Sequence, residues 1–162
     1  MALDHSVLVR VTGVVYVAYF VLAIVGMALR STPLSVVGTG MYFVLAIFLY
    51  WTFAPADPRI ALALLPLAAL GCVIQGIGMI QADGDMRRLA LVFFGLFLVV
   101  LGYLIARSTF APQPLGYVLA IVGVGWCALM IPGVPTPLSL AGMALGGAAE
   151  IVLALWLLIA AG

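Results

Sequence analysis

Apolar residues fill this chain in six long runs, and short polar stretches separate the runs. Each run is apolar on every face, which excludes the alternating pattern of a membrane β-strand. A helix needs about 20 apolar residues to cross the hydrocarbon core of a bilayer. The pattern therefore predicts six transmembrane helices, at residues 8–29, 36–54, 59–80, 88–107, 114–131 and 137–161.

Prolines and charged residues collect at the ends of these runs. Eight of the nine prolines lie between runs or at the first residue of a run, as expected of a residue that lacks the N–H a helix interior needs. Pro66 is the exception, and we expect it to kink the third helix and to free a backbone carbonyl near Leu62. Among the charged residues, only Glu150 lies deep inside a run.

The composition agrees with this pattern. Of the 162 residues, 67% are hydrophobic and 7% are charged, and the mean hydropathy is +1.39. A soluble domain of this size could not hide so much apolar surface from water. The sequence therefore predicts an all-α, polytopic transmembrane helical bundle that forms a single domain over residues 1–162, with no soluble domain.

The number of spans bears on orientation and on partners. With six spans, both termini lie on one side of the cell membrane. Three arginines fall on each side, so the positive-inside rule does not decide the orientation. The N-terminal amine and His5 favour termini in the cytoplasm. Membrane lipids are the expected partners, and a net charge of +1 gives no basic surface for nucleic acid.

Glu150 is the outstanding candidate for chemistry, because an ionised carboxylate in the middle of a span costs about 2.5–3.5 kcal/mol. Gly142, Gly146 and Ala154 are spaced from it by fours, so the four residues form one row on a helix face. The small residues would let another helix approach, and Glu150 would face that helix instead of lipid. Two interpretations have equal weight: a binding site centred on Glu150, and a protonated carboxyl that only hydrogen-bonds across a helix interface.

A few other polar side chains lie inside the spans. Gln75 follows the Pro66 kink and is placed to hydrogen-bond Glu150 or a ligand, although such a residue more often joins two helices. Four tyrosines, including Tyr42, lie where their hydroxyl groups can point inward. The candidate ligand-binding residues are Glu150, Gln75, Tyr16, Tyr19 and Tyr103.

Residues that common cofactors need are missing from the spans. The chain has no lysine for a retinal-type Schiff base, and its one histidine, His5, lies outside the predicted spans, which excludes a bis-histidine haem. Cys72 and Cys127 belong to no metal-binding pattern, and we interpret them as packing residues. The sequence predicts no metal and no cofactor, and it favours a protein that is not an enzyme.

Several short motifs resemble a known family. They are Gly13-x-x-Tyr16, Gly102-Tyr103-Leu104, Arg107-Ser108, Pro112, Leu115-Gly116, a glycine-rich fifth span, and Glu150 followed by Leu155-Trp156-Leu157-Leu158. With these motifs the chain is similar to a family of uncharacterised bacterial six-span membrane proteins, the domain of unknown function 4386. The resemblance implies six spans, a bacterial inner (plasma) membrane and a role for Glu150. It implies no activity.

Three functions fit these features. The leading hypothesis is a bundle that binds or moves an apolar or weakly polar small molecule in an intramembrane pocket near Glu150. The second is an accessory subunit that packs against other membrane protein subunits or against copies of itself. The third is an intramembrane enzyme that uses Glu150 as a general acid on a lipid-like substrate. The first and third both require a cavity beside Glu150.

Overall fold

The computed structural model describes residues 4–129 and 136–159. All regular structure in these two ranges is helical. The helices are α1 (His5–Ala28), α2 (Thr32–Phe53), α3 (Pro58–Leu62), α4 (Leu64–Ile80), α5 (Gly84–Arg107), α6 (Gln113–Ala128) and α7 (Thr136–Ile159). Helices α3 and α4 are two parts of one span, Pro58–Ile80, so each of the six predicted runs is helical over most of its described residues.

Polar side chains begin four of the helices. Asp4, Ser31, Asp57 and Asp83 each accept a hydrogen bond from a backbone N–H of the following turn. These N–H groups have no carbonyl partner in a preceding turn, so each side chain supplies an acceptor that the helix lacks. The polar residues between the runs therefore define where the spans start.

The third span is broken where Pro66 predicts a kink. Helix α3 ends at Leu62, and α4 begins at Leu64 after a turn at Ala63. Pro66 has no N–H to donate to the carbonyl of Leu62, so the helix cannot continue its hydrogen-bond ladder there. The interruption lies within one turn of Pro66, where the kink is predicted.

Five spans are long and apolar enough to cross a membrane: α1, α2, the α3–α4 span, α5, and Leu140–Ile159 of α7. Helix α6 is shorter, at 16 residues, and its predicted run extends to residue 131, outside the described residues. Large apolar side chains point outward around the bundle; Val14 is 59% and Ile121 is 71% exposed. This confirms the all-α, polytopic transmembrane fold class, because lipid is the solvent that such a surface suits.

The spans form a ring in chain order. Each span packs against the next, and α7 closes the ring against α1. Neighbouring spans are antiparallel: on α1 and α2, for example, Gly26 lies against Ser35 and Gly38 lies against Ala23. The ring therefore has two ends. We call the end with the turns at 29–31 and 81–83 the mouth end, and the end with the turns at 54–57 and 108–112 the packed end.

Large buried side chains fill the packed end. Phe53, Ile105 and Leu157 are all 0% exposed. Thr12 and Thr52, also buried there, join α1 to α2 through a hydroxyl–hydroxyl hydrogen bond of 2.8 Å. Towards the mouth end, this dense core gives way to a cavity.

Helices α5 and α6 meet along a row of glycines. Gly95 lies opposite Gly123 and Gly102 opposite Gly116, so the glycines repeat every seven residues on both antiparallel helices. A Cβ atom on any of the four would collide with a carbonyl oxygen of the partner helix or a backbone nitrogen beside it. Small residues permit this approach, and close packing is a main source of helix association in lipid. We call these four residues the glycine seam.

Candidate functional site

A cavity of about 490 Å³ lies inside the ring and opens at the mouth end. This volume is within the range of small-molecule sites, roughly 300–1,000 Å³. Its floor, near the middle of the bundle, is lined by Tyr19, Tyr42, Phe94 and Glu150. Helices α1, α2, α4, α5, α6 and α7 all contribute residues. The cavity therefore belongs to the ring as a whole.

Glu150 lies at the floor and is held by α1. Its side chain is 3% exposed, and the Tyr16 hydroxyl donates a hydrogen bond of 2.6 Å to Glu150 Oε2. Gly13 makes this contact possible, because a Cβ there would stand 2.8 Å from the backbone nitrogen of Leu158 on α7. The motif Gly13-x-x-Tyr16 thus brings α1 close to α7 and supplies the hydrogen bond one turn later.

Two buried polar atoms at the cavity lack hydrogen-bond partners among the described residues. They are the Tyr42 hydroxyl oxygen and Gln75 Oε1, and both residues line the cavity. Tyr42 is only 4% exposed, so its hydroxyl has given up bulk water without gaining a protein partner. An unsatisfied buried group costs about 1–3 kcal/mol, so the cavity has unmet hydrogen-bonding capacity.

The mouth is lined by Arg30, Ser31, Thr32 and Arg87. Arg30 ends α1 with a left-handed backbone (φ 49°), and beside it the N–H of Ser31 donates to the carbonyl of Gly26 at 3.0 Å. This geometry closes a helix C-terminus and usually employs glycine. An arginine there places a guanidinium group at the cavity entrance.

The row predicted on α7, with its small residues and Glu150, contacts two neighbouring helices, α6 and α1. A Cβ on Gly146 would stand about 2.5 Å from the Trp126 indole ring of α6, and Trp126 Nε1 donates to the Gly142 carbonyl at 3.0 Å. Ala154 is buried at 1% exposed. The close neighbour of Gly146 is thus an aromatic ring and not a helix backbone, while Glu150, further along the row, faces α1.

Tyr103 was predicted to face the interior, and this is wrong. Its side chain is 42% exposed, and the Arg107 guanidinium lies 5.8 Å from the centre of its ring. Tyr103 lies on the outer face of α5, near the packed end. A tyrosine within a span is compatible with either face, and the uniformly apolar run carries no periodicity to distinguish them.

Gln75 does not hydrogen-bond Glu150 in the structure. It lines the wall of the cavity nearer the mouth than the floor tyrosines, with Oε1 buried and unpartnered in the described part of the chain. Tyr16 does not line the cavity and reaches the site only through Glu150. Of the candidate ligand-binding residues, Glu150, Gln75 and Tyr19 line the cavity directly.

The sequence prediction missed the polar face of α2. Ser31, Ser35, Thr39 and Tyr42 all line the cavity, and their spacing of four, four and three puts them on one face of the helix. This spacing was visible in the sequence. The predicted packing residue Cys72 lies behind the same face, where its thiol donates to the Thr39 carbonyl at 3.1 Å.

The fold and the cavity define a multi-pass helical membrane protein with an internal polar site. The family described as Domain of unknown function (DUF4386) matches residues 80–161, half of the chain. The chain belongs to this family. The matched part contains the glycine seam, Trp126 and Glu150, whereas Gly13 and Tyr16 lie outside it. No curated protein and no solved structure matches the chain.

Proposed function

We propose that the protein binds an apolar or weakly polar small molecule inside the membrane, in the cavity above Glu150. One observation carries this proposal: the cavity is open, yet the Tyr42 hydroxyl and Gln75 Oε1 beside it have no protein partner among the described residues. Buried polar groups are normally hydrogen-bonded. A bound molecule with one polar group and an apolar body would fill the space, and a side-chain rotation of Tyr42 or Gln75 would turn the unpaired oxygen towards it.

The shape of the cavity supports entry from the mouth end. The core at the packed end, with Phe53, Ile105 and Leu157, lies beyond the floor. With both termini in the cytoplasm of a bacterial cell, as we propose, the mouth opens to the outer side of the plasma membrane. Binding is the part of the leading hypothesis that the cavity supports; movement of the molecule across the membrane would also require an opening at the packed end.

The experiment uses the full chain in lipid nanodiscs with 1-octanol as the probe and tryptophan fluorescence as the signal. Trp126 lines the cavity, and Trp126→Phe identifies its share of the emission. We expect a saturable change that Ala23→Phe abolishes, because Ala23 lines the cavity wall. Val21→Phe is the matched control, since Val21 on the same helix is 54% exposed to the lipid side.

Two outcomes would contradict the proposal: a response to octanol that does not saturate, and one that is equal in Ala23→Phe and the unmodified protein. The accessory-subunit alternative is tested on the same sample by mass measurement after mild extraction. A single chain supports an independent binding protein, whereas co-purifying membrane proteins in fixed ratio would favour the subunit.

A further inference from the structure

The floor of the cavity has a buried acid and no basic partner. Glu150 is 3% exposed, and no cation among residues 4–129 and 136–159 forms an ion pair with it; the ion pair between Arg88 and Asp85 is a surface contact. The titratable groups near Glu150 are the phenol of Tyr16, which hydrogen-bonds to it, and the phenols of Tyr19 and Tyr42, which line the floor. None of them supplies a positive charge. A buried carboxylate is normally paired with a cation, so the floor has a place for one.

The aromatic rings of the cavity suit the same charge. Tyr42 packs edge-on to Tyr19 and to Phe94, with ring centres 5.0 and 5.1 Å apart. Trp126 adds a fourth ring to the lining. Aromatic faces attract ammonium groups, most strongly where water is excluded.

The cavity residues have polar atoms without a described hydrogen-bond partner, and each of these atoms can accept a hydrogen bond. Gln75 Oε1 is an amide carbonyl oxygen, and the Tyr42 hydroxyl oxygen has lone pairs that no described residue uses. The Glu150 carboxyl accepts one hydrogen bond in the structure, from Tyr16, while a carboxylate has about four acceptor sites. The ligand that complements this set is a donor of several hydrogen bonds.

We infer that the molecule bound in this cavity carries a protonated amine, with its ammonium group at Glu150 and Tyr42 and its apolar body directed along the wall towards the mouth. This inference rests on the proposed function, since it names the ligand class of the same cavity. An ammonium group supplies the missing positive charge, donates several hydrogen bonds, and has aromatic rings around it.

The two arginines at the mouth are compatible with a cation at the floor. Arg30 and Arg87 are exposed, and Arg87 precedes the floor residue Phe94 by seven positions, about 10 Å of helix rise. At this distance the repulsion is weaker than the attraction of a carboxylate in direct contact, because the Coulomb energy falls with separation. The arginines make the mouth unfavourable for an ammonium group and leave the floor as the place where it is stabilised.

The test compares three probes that share one alkyl chain: octylamine, 1-octanol and octanoic acid, each titrated into full-length protein in nanodiscs at neutral pH. We expect octylamine to bind roughly ten-fold or more tightly than octanol, since a desolvated charge-assisted contact gives discrimination of that order. We expect octanoic acid to bind more weakly than octanol. In Glu150→Gln, which keeps the side-chain volume and can still accept from Tyr16, the advantage of octylamine should disappear.

Each result has a separate meaning. Equal affinities for octylamine and octanol, both saturable and both lost in Ala23→Phe, would overturn the amine inference and leave the proposed function standing. If no probe binds saturably, the proposed function itself fails. Should Glu150→Gln not fold, Tyr42→Phe provides the second variant. If Tyr42→Phe prefers octylamine over octanol as strongly as the unmodified protein does, and prefers octyltrimethylammonium over octanol as strongly too, the ammonium group lies away from Tyr42.

Discussion

The glycine seam and the cavity both lie between helices whose outer surfaces face lipid, but the two regions are built differently. At the seam, Gly102 and Gly116 bring α5 and α6 together backbone against backbone. Around the cavity, Tyr42 and Gln75 hold polar atoms in a space that no described side chain fills. Because apolar side chains gain little by leaving lipid for protein, close packing stabilises the first region, whereas the second keeps polar groups without described partners.

The largest expected effect comes from filling the seam. Gly123→Leu places a side chain against the Gly95 carbonyl oxygen and within about 3 Å of the Val99 nitrogen, and neither backbone atom can move without separating the helices. We expect a loss of about 3 kcal/mol of unfolding free energy, at the upper end of the usual cost of overpacking, measured by denaturation in detergent micelles.

Gly125→Leu is the matched control for that change. Gly125 lies two residues along the same helix, and its position has nothing within 4 Å of an added Cβ. It should unfold like the unmodified protein. Equal destabilisation by the two variants would mean that the seam is not a close contact, and the contrast with the cavity would be lost.

A smaller loss of unfolding free energy is expected at Trp126, which lies on helix α6 of the seam and also lines the cavity. Gly146→Ala pushes a methyl group into the Trp126 indole, which must then turn away and lose its hydrogen bond to the Gly142 carbonyl. We expect a destabilisation of about 1–2 kcal/mol and a shift of the tryptophan emission. In the neighbouring Gly147→Ala, where an added Cβ meets nothing within 4 Å, both quantities should stay unchanged; a shift there would point to a general change in helix α7.

At the mouth, in contrast, we expect substitutions that raise the unfolding free energy. Arg30→Gly relieves a left-handed backbone (φ 49°) that favours glycine, and should raise the unfolding free energy by about 1 kcal/mol. Ala82→Gly, at a residue with φ 55° in the equivalent turn after α4, should give a similar gain. Arg30→Gln keeps the backbone cost and removes the charge, so a gain in that variant would show that charge and not backbone strain limits stability.

The smallest expected changes in unfolding free energy come from removing a hydroxyl group that has a hydrogen-bond partner and one that has no described partner. Thr12→Val removes the hydrogen bond to Thr52 at the packed end and should cost about 0.6 kcal/mol, the average for such bonds between membrane helices. Tyr42→Phe removes a hydroxyl without a described partner, so the unfolding free energy should stay the same or rise. A clear loss in Tyr42→Phe would show that its hydroxyl already has a partner and would weaken the distinction between the two ends.

The fold class and the span positions could be predicted because the bilayer sets a length that apolar runs must match. Pro66 and the capping residues Ser31 and Asp83 likewise act through local geometry, which the sequence displays. The inner and outer faces could not be predicted in the same way, as the exposed Tyr103 shows, since lipid and protein interior are equally apolar. Glu150 was identifiable because its burial would be expensive, but its partner Tyr16 lies 134 positions away, beyond the reach of any spacing argument.

The order of the ring has a consequence for biogenesis. Spans leave the ribosome from the N-terminus onward, and in this ring each arriving span packs against the one inserted just before it. Among the described spans, α7 must also find α1, which is synthesised well before it. The hydrogen bond from Tyr16 to Glu150 lies at that closing contact. The cavity is therefore incomplete until α7 has been inserted, and the hydrogen bond at its floor can form only when the ring closes.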